Sequence, residues 1–362
     1  MLLGLDASRA DLSLAGVGRY SVEMIRHLID CERHRFRLYA NGTPRPFWSV
    51  RPHVEWRDLP FPRLWTHIRL SVEMARHAPD VLFVPAHVLP LVRPPLATVT
   101  IHDLGFLRFP HCHPGRQRLY LRLSTMWNVR VASAILADSC ATRADLQSLL
   151  GVPSQRVTVV YPGVSEAFFP QPAQKVARVT ARHRLPSQYL LFVGTLHPRK
   201  NLLRLLAAHA QVGQAPTLVL AGRPGWMSEP ILRRARSAAP RVRLLGPVAE
   251  EDLPALMSGA TALMLPSLYE GFGIPVLEAM ACGTPVIASA TSSLPEVVGD
   301  AGLLVDPLSP EDIASAMRRV CQEPELVQDL RQRGRARARQ FTWRAAAGQA
   351  LRTMEDLNER PS

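Results

Sequence analysis

Two glutamates flank a short glycine-rich loop in the stretch LMLPSLYEGFGIPVLEAMACGTPVIAS, residues 263–289. Pro275 suits the first turn of a helix, where its fixed φ angle fits and its missing N–H is not needed. The loop therefore ends at a helix N-terminus, whose free N–H groups and dipole favour an anion such as phosphate. Because carboxylates repel phosphate, we expect Glu270 and Glu278 to accept hydrogen bonds from hydroxyl groups beside it. For either acid alone, a capping or dipole role is equally consistent.

A second candidate loop, LLFVGTLHPRKNLLRLL at residues 190–206, follows an apolar strand and precedes a helix. Arg199 and Lys200 are adjacent cations that could offset charge growing on a departing diphosphate. Of the 43 basic residues, only Lys175 and Lys200 are lysines, and a compact ammonium is not interchangeable with a guanidinium. The alternative is a pair of surface charges, but cations at a helix start oppose the dipole.

Two further loops follow predicted strands. His102 ends the apolar run in ATVTIHDLGFLRFPHCHP, residues 97–114, where a purely structural histidine is the alternative. The HCHP tetrapeptide at 111–114 has no further ligands at useful spacing, so it does not predict a metal site. Gly16 and Gly18 lie in DASRADLSLAGVGRYS, residues 6–21. Without a third glycine, and without an acidic residue about 20 positions on, this pattern does not favour NAD, and it fits an ordinary strand–helix connection equally well.

The elements that must position these loops are short apolar runs alternating with helical patterns, which is typical of buried parallel strands in βαβ units. Strands are predicted near residues 2–6, 36–40, 81–84, 97–101, 134–137, 157–160, 189–193, 217–221, 242–245, 261–265, 285–287 and 302–305. Helices are predicted near 18–29, 116–131, 141–150 and 341–359. The fold class is α/β, with two doubly wound domains joined in the proline-bearing stretch 168–187.

Composition restricts the class of protein. The 362 residues are 47% hydrophobic and 20% charged, as in a globular protein, with no apolar run of the roughly 20 residues that span a bilayer. An odd number of scattered cysteines predicts reduced thiols in a cytoplasmic protein. The net charge of +13 is spread along the chain, without the basic tail typical of a nucleic-acid-binding arm.

The stretch WRDLPFPRLWTHIRLSVEMARH, residues 56–77, interleaves aromatic side chains with arginines. Together with these arginines, Trp56, Phe61 and Trp65 could lie in a lipid headgroup layer. The chain would then contact the inner face of an anionic membrane peripherally. A solvated and partly packed loop and helix is an equally consistent interpretation.

Taken in order, the motifs AGVGRYS, IHDLGFLRFP, YPGVSEAFFP, VGTLHPRKN and LPSLYEGFGIPVLEAMACGTPVIAS resemble glycosyltransferase family 4, the retaining nucleotide-sugar transferases of GT-B fold. The resemblance covers nearly the whole chain. Within the family, the sequence is most similar to the branch that contains bacterial mannosyltransferases of polysaccharide assembly. It implies an acceptor domain at 1–170 and a donor domain at 171–340, facing a central cleft. A closing helix at 341–362 would cross back to the N-terminal domain.

The resemblance also implies donor-binding roles. Glu278 would bind the ribose hydroxyls, and Glu270 would contact the transferred sugar. Gly271 and Gly273 let the backbone approach the ligand closely, and the backbone of Phe272, Gly273 and Ile274 would hold sugar and phosphate.

The remaining roles are implied for the other loops. Arg199 and Lys200 would stabilise the diphosphate leaving group, and His102 would contact the donor sugar near the reacting carbon. Gly16 and Gly18 would line the cleft on the acceptor and phosphate side. Thr195 stands where many members carry an arginine, which leaves the phosphate charge to Arg199 and Lys200.

Members of this family generally act without a bound metal, so no metal or other cofactor is expected. The expected reaction moves a sugar, with GDP-mannose as the preferred donor and a UDP-sugar next, to a saccharide or lipid-linked acceptor. Three alternatives share parts of this pattern: a nucleotide-sugar epimerase, a phosphorylase, and a non-catalytic basic scaffold that binds membranes or nucleic acid. A phosphorylase would need a lysine for pyridoxal in the second domain, and Lys175 lies in the linker.

Overall fold

The computed structural model describes residues 1–10, 15–42, 51–86 and 88–359. Residues 11–14 of the predicted loop at 6–21, and residues 360–362 of the predicted C-terminal segment, lie outside the described residues. The chain divides into two compact units. Unit 1 consists of Met1–Leu107, Gly115–Gly163 and Thr342–Ser362, and unit 2 consists of Arg108–Pro114 and Val164–Phe341.

Unit 1 is built on a seven-stranded sheet whose described strands pair in parallel. Its strands are β1 (Leu2–Asp6), β2 (Arg35–Ala40), β3 (Val54–Asp58), β4 (Val81–Val84), β5 (Leu96–Ile101), β6 (Ala134–Ala137) and β7 (Val157–Val159). They lie in the order β3-β2-β1-β4-β5-β6-β7. The order therefore reverses beside β1, which is the arrangement of a doubly wound α/β sheet.

Unit 2 repeats this plan with a six-stranded parallel sheet. Its strands are β8 (Tyr189–Val193), β9 (Thr217–Ala221), β10 (Val242–Gly246), β11 (Ala262–Leu265), β12 (Val286–Ser289) and β13 (Leu303–Val305). The order β10-β9-β8-β11-β12-β13 reverses beside β8. The central strands are fully buried and apolar, as expected for strands that are covered on both faces.

Helices connect the strands in both units, and they are numbered here along the chain. The described helices are α1 (Ala15–Leu28), α2 (Ser71–His77), α3 (Gly105–Arg108), α4 (Gly115–Val131), α5 (Cys140–Leu150), α6 (Ala173–Arg182), α7 (Leu202–Ala210), α8 (Glu229–Ser237), α9 (Leu253–Gly259), α10 (Ile274–Ala281), α11 (Leu294–Val298), α12 (Pro310–Gln322), α13 (Pro324–Ala338) and α14 (Trp343–Glu359). A short π-helical turn, Thr66–Leu70, runs directly into α2.

Local signals in the sequence account for several helix ends. The Ser139 side chain accepts a hydrogen bond from Thr142 N and caps α5, which ends at Gly151 in the left-handed region with φ of 64°. The Ser309 side chain likewise accepts from Asp312 N at the start of α12. Such caps satisfy N–H groups that have no partner within the helix.

The last helix belongs to unit 1. Trp343, Ala350 and Met354 of α14 are part of the same buried cluster as Met24 and Leu28 of α1. Because the facing residues of α14 include several alanines, the two helices can pack closely. A second cluster, built around β4, β5 and β6, fills the other face of the sheet.

The structure differs from the sequence-based expectations at two places. The strand β3 was not predicted, because its residues VEWRD are polar and half-buried and offer no apolar run. The boundary between the units lies between Gly163 and Val164 rather than after residue 170. Val164 N donates a hydrogen bond to Phe341 O at 3.2 Å, and both residues belong to unit 2. None of the described helices is long and apolar enough to cross a bilayer.

The close packing at the start of α14 can be tested by substitution of Gly163. A Cβ atom at Gly163 would overlap the backbone of Thr342 and Trp343, whereas a Cβ at Gly213 would meet nothing within 4 Å. We expect Gly163→Ala to lower the free energy of unfolding by at least about 2 kcal/mol because backbone atoms cannot yield as side chains do, and Tm by roughly 5 °C. Thermal melts followed by circular dichroism measure this. Gly213→Ala is the matched control, and an equal Tm for both variants would contradict the prediction.

Candidate functional site

The candidate site of unit 2 forms where the strand order reverses. Since β8 and β11 are neighbours, the loops that follow them meet at one edge of the sheet, and ligands of such sheets bind at this edge. Leu268 N donates to Arg199 O at 2.9 Å, and Arg199 Nη1 donates to Tyr269 O at 3.0 Å. The loop that carries the predicted cations is thereby joined to the loop that carries the predicted acids.

A tight turn sets the position of Lys200. Pro198–Lys200 form a single 3-10 turn, and Asn201 follows it in the left-handed region with φ of 60°. The Asn201 side chain donates to Pro266 O at 2.9 Å and to Pro307 O at 2.6 Å. An asparagine tolerates this backbone conformation better than most residues, and its two hydrogen bonds hold the turn against the segments that follow β11 and β13.

Lys200 and Glu270 form an ion pair in the centre of this site. The Nζ to Oε1 distance is 2.6 Å, and the side chains are 13% and 9% exposed. Burial by itself would raise the pKa of Glu270, but the charges of Lys200 and Arg199 outweigh burial and hold that pKa below its ordinary value. Glu270 is therefore an ionised acceptor at neutral pH. A pair this sheltered from water is weakly screened and costly to break by removing one partner.

The loop after Glu270 leads into α10. Gly273 adopts φ of 107°, a conformation that favours glycine, and a Cβ there would come within 2.7 Å of Leu294 Cδ2. Ser293 Oγ lies 3.0 Å from Glu270 O and 2.9 Å from Phe272 O, so its single proton is shared between the two carbonyls and holds the loop in place. The helix begins at Ile274. Pro275 has no N–H and Val276 N donates to Gly273 O at 2.9 Å, so the positive end of the helix dipole is what makes this end suitable for an anion.

The other residues predicted for this site lie in the loop after Glu270, in α10 and just after β8. Gly271 and Phe272 are buried, Ile274 is half-buried, and the Phe272 ring packs edge-on against Phe341 with centroids 5.8 Å apart. Glu278, one turn further along α10, is only 2% exposed. Thr195 is half-buried at the end of β8, and its Cγ2 would lie 2.7 Å from a Cβ at Gly225.

A stack of rings borders the same loop. The rings of His197 and Trp226 are stacked with centroids 5.3 Å apart, and His113 lies against the same indole at 5.5 Å. Trp226 Nε1 donates to Cys112 O at 2.8 Å, which ties residues 108–114 to unit 2. Burial, together with the charges of Arg199 and Lys200, lowers the pKa of His197 to about 3. A neutral imidazole and an indole therefore form an apolar wall beside the cations.

Unit 1 holds a separate group around His102. Its Nδ1 lies 2.7 Å from Asp138 Oδ2, and the ring meets Tyr20 edge-on at 4.7 Å. The Tyr20 hydroxyl is 3.1 Å from Thr100 Oγ1. Burial would lower the pKa of His102, but the Asp138 carboxylate outweighs it and the net direction is upward. Asp138 thus fixes the ring orientation and favours a proton on Nδ1.

The predicted glycines of unit 1 lie at the start of the helix that carries Tyr20. Gly16 is exposed and Gly18 is buried in the first turns of α1. They share that helix with the residue that packs on His102, so the two predicted loops of unit 1 meet through α1. The predicted site residues therefore form two groups, one in each unit.

Sequence reasoning missed several residues of these groups. Asp138 directly follows the strand β6 (Ala134–Ala137), so the rule that functional groups follow strands would have identified it. Tyr20 and Trp226 carried no comparable signal, because their partners are distant in the sequence. Within the described part of the chain, no three His, Cys, Asp or Glu side chains cluster in a way that could hold a metal ion.

Comparison with known proteins identifies two family domains in the chain. Residues 14–168 match the family described as Glycosyltransferase Family 4, and residues 175–337 match Glycosyl transferases group 1. The chain is 31% identical over 366 residues to the O-antigen chain mannosyltransferase B of Escherichia coli, with 93% of this chain and 95% of that protein covered.

A second relative is longer than this chain. The serotype-specific mannosyltransferase WbdA of Escherichia coli is 26% identical over 400 residues, covering 97% of this chain and 47% of WbdA. The chain therefore spans about half the length of that relative. The crystal structure of HepE from Anabaena, in complex with UDP and glucose, superposes with a TM-score of 0.78 at 18% identity, covering 98% of this chain and 100% of that one. This similarity, with the two parallel sheets, confirms the predicted GT-B fold class.

The low pKa of His197 predicts a pH dependence of stability. An unfolded histidine titrates near 6.5, whereas the pKa of the buried His197 is lowered to about 3 by burial and the neighbouring cations. Between these values the unfolded chain binds a proton that the folded chain does not. The contribution of His197 to the free energy of unfolding therefore falls as pH decreases, by at most about 1.4 kcal/mol per pH unit.

His197→Phe keeps a ring against Trp226 and cannot titrate. We expect its Tm to fall less than that of the wild type between about pH 7 and pH 5, measured by differential scanning fluorimetry. The exposed His111 supplies the control, since His111→Phe should follow the wild-type curve. Parallel curves for His197→Phe and the wild type would show that His197 is protonated in the folded chain.

Proposed function

The chain belongs to glycosyltransferase family 4, and on that basis we propose that it transfers mannose from GDP-mannose to a hydroxyl of a saccharide or lipid-linked acceptor. The mannosyl donor is supported by two relatives that are named as mannosyltransferases. A UDP-sugar is the second candidate, since the structurally similar HepE was crystallised with UDP and glucose. The family membership does not favour an epimerase, a phosphorylase or a non-catalytic scaffold.

The observation that carries the proposal is the Lys200–Glu270 ion pair at the entrance to α10. It brings a cation and a carboxylate together beside the N-terminal end of α10. A nucleotide diphosphate sugar combines an anionic diphosphate with hydroxyl-bearing sugars on both sides. In our proposal the loop Gly271–Ile274 and the helix end bind phosphate, and the two acids bind hydroxyls.

Lys200 and Arg199 act on the leaving group. When the bond between the anomeric carbon and the diphosphate oxygen breaks, negative charge grows on that oxygen. The two cations stabilise this charge, and they need little reorganisation because Glu270 and Tyr269 O already hold them. Such preorganised charge is among the largest contributions to catalysis. In this assignment Arg199 and Lys200 share the work that an additional arginine at the Thr195 position would perform in other family members.

The two glutamates take different partners. Glu270 is ionised and lies beside Lys200, so it can accept a hydrogen bond from a hydroxyl of the transferred sugar while Lys200 faces the phosphate. Glu278 lies one helical turn deeper and is 2% exposed. We assign it to the ribose hydroxyls. A buried carboxylate gains most from such donors, because it has little water to bind instead.

The assignments in unit 1 rest on the family resemblance and on the His102 geometry. Asp138 holds the His102 ring through Nδ1, which leaves Nε2 as the ring nitrogen on the opposite side. We assign that nitrogen to the donor sugar near the reacting carbon. Gly16 and Gly18 are assigned to the acceptor and phosphate side.

We further propose that the anomeric configuration is retained and that no metal takes part. Glu270 is occupied by Lys200, so we assign no enzyme nucleophile. The acceptor oxygen attacks the anomeric carbon from the face that the diphosphate leaves, and the acceptor proton passes to the departing phosphate oxygen. Proton nuclear magnetic resonance of the fresh product would show the same anomeric configuration as the donor if this mechanism holds.

The ion pair permits a test that separates catalysis from stability. Lys200→Met leaves Glu270 buried without its partner and should cost about 3–5 kcal/mol of stability and most of the activity. The double variant Lys200→Met/Glu270→Gln removes both charges, so we expect it to recover much of the lost Tm. It should recover no activity, because the leaving-group cation is still missing. Melts and transfer assays with radiolabelled GDP-mannose measure both quantities.

Lys175→Met is the matched control, because Lys175 is the other lysine of the chain and lies in α6. It should keep both stability and activity. If the double variant turned over at the wild-type rate, Lys200 would have no catalytic role and the site would have to be placed elsewhere.

The donor is tested by thermal shift. The panel contains GDP, UDP, ADP and their common sugar conjugates, each with and without EDTA. A ligand at 100 times its Kd stabilises a protein by about 2.7 kcal/mol, or a few degrees in Tm. We expect the largest shift with GDP-mannose and no loss of it in EDTA. A larger shift with UDP conjugates would replace the donor assignment, and a shift that EDTA abolishes would refute the metal-free mechanism.

A further inference from the structure

A short segment of unit 2 comes from the middle of the unit 1 sequence. Arg108–Pro114 belongs to unit 2, although the residues on both sides of it, Met1–Leu107 and Gly115–Gly163, belong to unit 1. It contains a single 3-10 turn, Pro110–Cys112, and the HCHP tetrapeptide, which has no role in the proposed site. Cys112 is only 1% exposed, so the centre of the segment is packed rather than directed into solvent. We call Arg108–Pro114 the inserted segment.

Trp226 ties the inserted segment to the loop that carries the cations. Its Nε1 donates to Cys112 O at 2.8 Å, and the His113 ring lies against the indole with centroids 5.5 Å apart. The same indole stacks on His197, with centroids 5.3 Å apart and an angle of 23° between the ring planes. His197 directly precedes the turn Pro198–Lys200. The indole therefore contacts both the inserted segment and the residue before that turn.

The loop that carries Trp226 is itself held against the residues that follow β8. Gly225 N donates to Leu196 O and Leu196 N donates to Arg223 O, both at 2.8 Å. A Cβ atom at Gly225 would lie 2.7 Å from Thr195 Cγ2, so the two loops are in close contact. Because backbone atoms make these hydrogen bonds, the position of Trp226 relative to the loop with the cations is fixed.

Phe109 brings the inserted segment to Tyr269, which holds Arg199. The centroids of the two aromatic rings are 6.1 Å apart, within the range of favourable aromatic pairs, and Tyr269 is 5% exposed. Arg199 Cζ lies 5.9 Å from the centre of the Tyr269 ring, and Arg199 Nη1 donates to Tyr269 O at 3.0 Å. Burial raises the pKa of the Cys112 thiol against the opposing charge of Arg199. The guanidinium is therefore held by one tyrosine and lies within electrostatic reach of the inserted segment.

We propose that the inserted segment positions the Arg199 guanidinium for the diphosphate leaving group. Phe109 supports the Tyr269 ring, and Trp226 holds the segment in place. An arginine side chain has several rotatable bonds, so an unsupported guanidinium would have to be ordered during the reaction. A cation that is already oriented stabilises the growing negative charge without that cost. Phe109 and Trp226 do not touch the substrate in this proposal, so they are positioning residues and Arg199 is the catalytic one.

This inference rests on the proposed function, in which Arg199 is assigned to the leaving group. Loss of its positioning should lower kcat more than it raises KM, because charge on the leaving oxygen grows only in the transition state. We expect Phe109→Leu to lower kcat about tenfold and to change KM by less than about twofold. Transfer assays measure both constants with the nucleotide sugar that gives the largest thermal shift, which we expect to be GDP-mannose. Phe109→Tyr keeps a ring against Tyr269 and should retain most of kcat.

A double-mutant cycle shows whether Phe109 acts through Arg199. Arg199→Met removes the cation and should by itself lower kcat about a hundredfold. If the inserted segment serves to orient that cation, adding Phe109→Leu to Arg199→Met lowers kcat no further. Trp226→Phe keeps a ring against His197 and lacks the N–H group that binds Cys112 O. It should lower kcat in the wild-type background and leave it unchanged in the Arg199→Met background.

Phe169→Leu is the matched control for the loss of an aromatic ring from unit 2, since Phe169 is 51% exposed. It should keep the wild-type kcat. The melting temperature and the donor-induced thermal shift of each variant show separately that unit 2 remains folded. If Phe109→Leu does not fold, the same comparison is made with Trp226→Phe.

Two results would overturn the inference and leave the proposed function intact. One is a double variant, Arg199→Met/Phe109→Leu, whose kcat falls by the product of the two single effects, since Phe109 would then act independently of Arg199. The other is a folded Phe109→Leu variant that turns over at the wild-type kcat. A wild-type kcat for Arg199→Met would be a different result, because it would refute the leaving-group assignment itself and the inference with it.

Discussion

The reversal of strand order beside β8 is the constraint on which the candidate site depends. Because β9 and β11 lie on opposite sides of β8, the chain leaves the sheet in two directions and a gap opens at the carboxyl ends of β8 and β11. The loops that enter this gap carry Arg199 and Lys200 on one side and Glu270 on the other. If either loop followed a different strand, the pairing of β8 with β11 would no longer bring these side chains together.

In the proposed site, one pair of residues, Lys200 and Glu270, serves both the packing of the loops and the binding of the ligand. A buried ammonium or carboxylate alone would be costly, and the charge of Lys200 helps to keep Glu270 ionised. The groups that suit a phosphate and a sugar are therefore also the groups that hold the two loops together. In the proposed site, stability and ligand affinity are therefore coupled, and a change in either side chain is expected to act on both. The same logic applies to His102 and Asp138 in unit 1, where the carboxylate orients the ring.

The sequence predicted those parts of the fold and site that depend on local patterns. Apolar runs located β8 and β11, Pro275 located the start of α10, and the rarity of lysine drew attention to Lys200. The ion pair itself was beyond prediction, because its partners are 70 residues apart and only the β8–β11 pairing brings them together. The edge strand β3 was not predicted, because a half-buried edge strand does not need the apolar run by which the other strands were recognised. Likewise, Trp65 could be placed inside or outside only once its burial and the hydrogen bond from its Nε1 to Leu59 O were known.

The position of α14 has a consequence for synthesis. Trp343, Ala350 and Met354 follow the whole of unit 2 in the sequence, yet they complete the core of the unit that contains β1. Unit 2 ends at Phe341 and is already fully translated before α14 is. During synthesis, the core of unit 1 can therefore be completed only after unit 2 has been translated, and the α14-facing side of α1 stays uncovered until α14 has left the ribosome. The usual N-to-C order of domain folding is reversed by one helix.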